Sequence, residues 1–123
     1  MGPTGAESLR QLASRGFAEA GATRLKDLSE WCQTRCDESG DGRFCILAQT
    51  LLNIFEWWDE RGDSRGVPFA LIEELERTLK RQVPPILDAS EPARAARLAA
   101  ELRERVHVLL LPEQSWGPWV YRA

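Results

Sequence analysis

Every cysteine of the chain falls in the stretch SEWCQTRCDESGDGRFC, residues 29–45: Cys32, Cys36 and Cys45. Thiols this close together can chelate a soft ion, pair as a disulfide, or serve only as small apolar side chains. Cys32 and Cys36 are four residues apart, which on a helix puts both thiols on one face with β-carbons about 5–6 Å apart. A tetrahedral zinc site needs four ligands. Cys45 is the third candidate, and His107, the single histidine, is the fourth. At 100° per residue His107 falls about 140° around its helix from Leu102, off the centre of the apolar face, so it is not expected to converge on the thiols. The spacing also lacks the C-x-x-C of thioredoxin-like centres. Cys32 and Cys36 continue the apolar series Leu25 and Leu28, and free cysteine is among the most buried side chains. Packing is therefore the expected role of all three. The alternative is a metal or redox sensor built on Cys32, Cys36 and Cys45, with Cys36 to Cys45 across ESGDG as the reversible link that the spacing favours.

Carboxylates are densest in EWWDERG, residues 56–62, and FALIEELERTL, residues 69–79. If the two helices carrying them are antiparallel neighbours, Glu56 and Asp59 can meet Glu73 and Glu76. Carboxylate pairs of this kind bind magnesium, which takes oxygen ligands in an octahedron and keeps several waters. Glu73-x-x-Glu76 and Glu56-x-x-Asp59 resemble the E-x-x-E and E-x-x-D pairs of the all-helical nucleotide pyrophosphohydrolases, in reversed order along the chain. That resemblance implies magnesium-dependent nucleotide hydrolysis through Glu56, Asp59, Glu73 and Glu76. The competing expectation is a solvated acidic face with arginine partners, Glu73 to Arg77 and Glu101 to Arg105 at i,i+4. No glycine-rich phosphate loop and no Ser-His-acid arrangement is present.

The aromatic residues raise a different possibility. Trp116, Trp119 and Tyr121 occur within six residues of PEQSWGPWVYRA, and Trp57 and Trp58 are adjacent. Neighbouring helical residues point about 100° apart, so one face cannot bury both. Trp58 follows the apolar stripe of its helix, which leaves Trp57 for a second contact. Aromatic anchors that fill pockets dominate binding energy, so Trp57, Trp116, Trp119 and Tyr121 are the expected interaction residues.

These groups must be held by helices. Apolar residues recur at three and four throughout, and no stretch alternates as a strand would. The periodicity predicts helices over about 4–20, 23–37, 42–61, 68–83 and 90–110, followed by an extended aromatic tail, 112–123. Thr4 with Glu7 fits a capping box for the first helix, Gly16 weakens its interior and Gly21 ends it. The third helix carries Phe44, Leu47, Ala48, Leu51, Phe55 and Trp58, widened by Leu52, Ile54 and Trp57, as expected of a helix running down the middle of a bundle. Pro68 suits the first position of the fourth helix. Phe69, Ile72, Leu75, Leu79 and Val83 form its buried face, and Pro84-Pro85 stops it. Ser90 is the expected cap of the fifth helix. The chain of 123 residues reads as one all-α domain, a compact antiparallel bundle of four to five helices.

The formal net charge of −3 disfavours sequence-independent binding to nucleic acid. The N-terminal residues lack the basic start and apolar run of a secretion signal. VHVLLLP is too short to span a bilayer. A cytoplasmic location without membrane attachment is expected, and the odd cysteine count agrees with it. The expected function is that of a non-catalytic interaction or regulatory protein (an adaptor, subunit or inhibitor) without a cofactor, binding a protein partner and forming a homodimer. The rivals are the magnesium-dependent hydrolase and the cysteine-based sensor.

Overall fold

The computed structural model describes residues 5–17, 22–60 and 69–110. Within them run five helices: α1 Gly5–Arg15, α2 Ala22–Ser39, α3 Gly42–Glu60, α4 Phe69–Asp88 and α5 Pro92–Leu109. No strand occurs among the described residues, and the all-α bundle follows from the helical period of the apolar residues. Thr4, Gly21, the loop 61–66, Pro68 and the aromatic tail 112–123 lie outside the described residues.

The helices close into a ring in which α2 packs on α3, α3 on α5, α5 on α4, α4 on α1 and α1 on α2. Side-chain partners give the directions. Arg24 donates to Ser8 while Trp31 covers Gly5, so α1 and α2 are antiparallel. Trp31 meets Phe44 and Ser29 donates to the carbonyl of Ala48, so α2 and α3 are antiparallel. Arg10 bonds Asp88 and Gly16 lies under Glu76, which makes α1 antiparallel to α4. The short connection 89–91 reverses the chain between α4 and α5, where Arg105 reaches Glu74. By contrast Gly42 faces Ala96 and Gln49 accepts from Arg103, so α3 and α5 run parallel. A ring with an odd number of helices cannot reverse direction at every contact. Its one parallel contact falls between helices that are not consecutive in the chain.

This arrangement has two ends. The hairpin end holds the α2–α3 turn, the α4–α5 turn and the start of α1. The distal end holds the C-termini of α1, α3 and α5 with the N-termini of α2 and α4. Between them lies a single core that includes Leu9, Phe17, Leu25, Leu51, Ile54, Leu75, Leu79 and Leu102. At about 25 cal/mol per Å² of apolar surface, burying each such side chain stabilises the fold by about 1.5–3 kcal/mol before entropy is counted.

Several local expectations are corrected. The first helix ends at Gly16, not Gly21. Gly16 has φ 93°, a left-handed backbone natural to glycine, and its N–H closes the last turn onto the carbonyl of Leu12. The third helix is a wall of the ring, with Gln49, Leu52, Asn53 and Glu56 facing solvent, and it does not run down the middle.

Pro84 and Pro85 do not stop α4, which continues to Asp88. An interior proline costs about 3 kcal/mol. The carbonyls left without donors belong to Lys80 and Arg81, both exposed residues. Continuing the helix keeps Val83 and Ile86 fully buried on the stripe of Leu75 and Leu79. Phe69 was expected on that face and instead stands 73% exposed. Ser90 is not the cap of α5; Glu91 is the N-cap, without a side-chain bond, and Pro92 occupies the first helical position.

Candidate functional site

The thiols separate into two kinds. Cys36, in the last turn of α2, and Cys45, in the first turn of α3, form a disulfide with Cα atoms 4.9 Å apart. Both are half-buried, so the expectation that they act only as packing is corrected. Two antiparallel helices joined by the turn Gly40–Asp41 bring these positions opposite each other. Cys32 is the free thiol. It is fully buried, as expected of core filler, and desolvation pushes its pKa up to about 12. His107 is exposed on α5, whereas Cys32 packs in the core cluster with Leu25, Leu28 and Leu47. Among the described residues no group of three acidic, histidine or cysteine side chains is arranged to hold a metal ion.

The same turn carries a residue that the sequence reading passed over. Arg43 is only 7% exposed. Its backbone N–H donates to the Asp41 carboxylate at 3.0 Å and its Nε donates at 2.9 Å. Its Nη1 donates to the carbonyls of Ile86 at 3.0 Å and Ala89 at 2.8 Å. These carbonyls end α4, where backbone acceptors lack helical donors and the helix dipole favours a cation. One guanidinium thus joins the α2–α3 turn to the α4–α5 turn. The signal was available: Arg43 stands in register with Leu47, Thr50 and Ile54 on the buried side of α3, two residues after an aspartate.

The carboxylates do not assemble. Glu56 and Asp59 are exposed on α3, Glu73 is exposed on α4, and Glu76 lies beside Gly16 of α1. The helices α3 and α4 are separated in the ring by α5, which is why the two pairs are not brought together. The expected arginine partners also differ. Arg77 and Arg105 both bond Glu74, at 2.7 and 3.3 Å, in place of Glu73 and Glu101. A cleft of about 400 Å³ beside the α4–α5 turn is lined by Asp88, Ser90, Glu91 and Arg94, and it gathers none of the expected residues.

At the distal end the tryptophan assignments exchange. Trp57, expected as a surface anchor, is 6% exposed and belongs to the core, while Trp58 is half-buried and meets Phe17 edge-on at 5.3 Å. A ring of five helices offers α3 two neighbours on different sides, so both indoles find cover. Trp116, Trp119 and Tyr121 lie outside the described residues. Among the described residues the large exposed apolar groups near this end are Phe69, at the start of α4, and Val108, 45% exposed near the end of α5. Leu52, 39% exposed, lies midway along α3.

No family model, curated protein or solved structure matches this chain. No described helix is long and apolar enough to cross a membrane.

Proposed function

We propose that this is a non-catalytic interaction or regulatory protein, an adaptor, subunit or inhibitor, that works in the cytoplasm as a homodimer and binds a protein partner. The observation that carries the reading is Phe69, a large aromatic residue left 73% exposed at the first position of a helix whose apolar stripe, Leu71, Ile72, Leu75 and Leu79, is buried. Val108 adds apolar surface near the same end, and residues 111–123, with Trp116, Trp119 and Tyr121, continue directly from α5. Each aromatic side chain can bury about 150–250 Å². Two copies contributing Phe69, Val108 and these three aromatics would reach the roughly 1,200 Å² that a specific interface needs. A twofold dimer is the commonest closed arrangement.

Light scattering over the micromolar range tests the reading. The full chain is expected to have the mass of a dimer, and Phe69→Asp and deletion of residues 112–123 are each expected to shift it toward monomer. A full-length monomer at every concentration would remove the dimer. The magnesium alternative finds no support in the separation of α3 from α4. The thiol alternative is favoured by one observation, the Cys36–Cys45 disulfide, because cytoplasmic thiols are ordinarily kept reduced.

A further inference from the structure

The disulfide and the Arg43 bridge share one turn. Residues 36–45 form a ring closed by the S–S bond, and both Asp41 and Arg43 lie within it. Asp41 holds Arg43 by two bonds, and Arg43 holds the ends of Ile86 and Ala89. The carbonyl of Cys36 accepts from Gly40 N–H at 2.8 Å, so the disulfide also borders the left-handed turn at Gly40. Elsewhere the α2–α3 pair is held without the covalent link, by Trp31 on Phe44 and by Ser29 on the carbonyl of Ala48. Cutting the link therefore loosens the turn and leaves the helices paired.

We propose that Cys36–Cys45 is a reversible redox element that sets how firmly Arg43 clamps the α2–α3 turn to the end of α4. The co-reactant is a dithiol reductant. Its thiolate attacks one sulfur, the S–S bond breaks and a mixed disulfide forms. Its second thiol then displaces that sulfur. Two electrons and two protons pass to the protein, which holds two thiols, and the reductant leaves as its own disulfide. Oxidation by a disulfide of the same class reverses the step. Cys36 and Cys45 are half-buried and within reach of a partner, whereas Cys32 is fully buried. With its thiol held protonated by burial, Cys32 does not compete for the exchange.

The test compares the native protein before and after dithiothreitol, together with Cys36→Ser/Cys45→Ser. Peptide mapping of the oxidised protein is expected to show the 36–45 link, and native alkylation after reduction is expected to label those two cysteines and spare Cys32. Helical circular dichroism is expected to persist in the reduced protein and in the double variant. Amide hydrogen exchange is expected to rise about tenfold or more over residues 38–45 and 86–92, with the interior of α5 unchanged. Absence of the link in oxidised protein overturns the proposal. So does loss of helix on reduction, which would make the bond a folding staple. Equal exchange at residues 86–92 in both states would sever the proposed coupling and end it as well.

Discussion

The two ends of this bundle are built differently. At the hairpin end the turns are short, a disulfide spans one of them, and a buried guanidinium ties it to the other. At the distal end the apolar residues Phe69 and Val108 face water, while Trp58 meets Phe17 and Trp57. Both ends sit on the same core. The difference lies in the side chains gathered at each end, polar and cross-linked at one, apolar and exposed at the other. Where polar groups are joined to one another, substitution is expected to be costly for stability. Where apolar surface is left outside, substitution is expected to be nearly silent for folding and visible only in association.

The sharpest break of this contrast is Arg43→Ala. It keeps the backbone N–H on Asp41 but removes the guanidinium from the second carboxylate oxygen and from the carbonyls of Ile86 and Ala89, and removal of one partner of a buried pair costs about 3–5 kcal/mol. Urea denaturation is expected to show that loss. Arg43→Lys should recover only part of it, because an ammonium cannot reach both sides as a planar fork does. A loss below about 0.5 kcal/mol for Arg43→Ala would erase the distinction between the ends.

Removing the disulfide comes next. Closing a short loop of this size stabilises by about 2.5 kcal/mol on the chain-entropy account. Cys36→Ser/Cys45→Ser is expected to lower the denaturation midpoint accordingly, with an unchanged dependence on denaturant concentration.

A smaller effect follows from Cys32. Its folded-state pKa is raised by burial to about 12, above the unfolded thiol, so the protein holds a proton that the unfolded chain releases. The associated stability is complete below the unfolded thiol's pKa and falls as pH rises toward the folded value, by about 1.4 kcal/mol per pH unit. Comparing wild type with Cys32→Ala between about pH 8 and about pH 10 should show the steeper decline in wild type, by about 1.4 kcal/mol. Parallel curves would contradict it.

The least effect on stability is expected at the distal end. Phe69→Asp should change the unfolding free energy by no more than about 0.5 kcal/mol, as for an exposed position. A loss of 2 kcal/mol or more would mean that Phe69 is covered within the chain, and the contrast between the ends would shrink.

The sequence by itself determined the helices and most of the core. Leu9, Leu12, Leu25, Leu28, Leu47, Leu51, Leu75, Leu79, Leu102 and Val106 repeat at helical spacing, and all are buried. Burial of a stripe is a property of local periodicity, so it is legible without knowing the partner helix. Short turn sequences were legible too, as in ESGDG, because glycine alone enters the left-handed region of Gly40 without strain. What periodicity does not contain is which helix lies beside which. Order around the ring separated α3 from α4, and with them Glu56 and Asp59 from Glu73 and Glu76. It also buried Trp57, left Phe69 in water and carried α4 through Pro84 and Pro85 to keep Ile86 inside. The meeting of Cys36 with Cys45 lay between these cases, since a tight turn between two helices brings only a few pairs face to face. The register of Arg43 with Leu47, Thr50 and Ile54 is local, but its partners at the end of α4 belong to the tertiary structure. Its charge is tolerable in the interior only because the end of a helix distant in sequence presents carbonyls to it, and no local pattern records that.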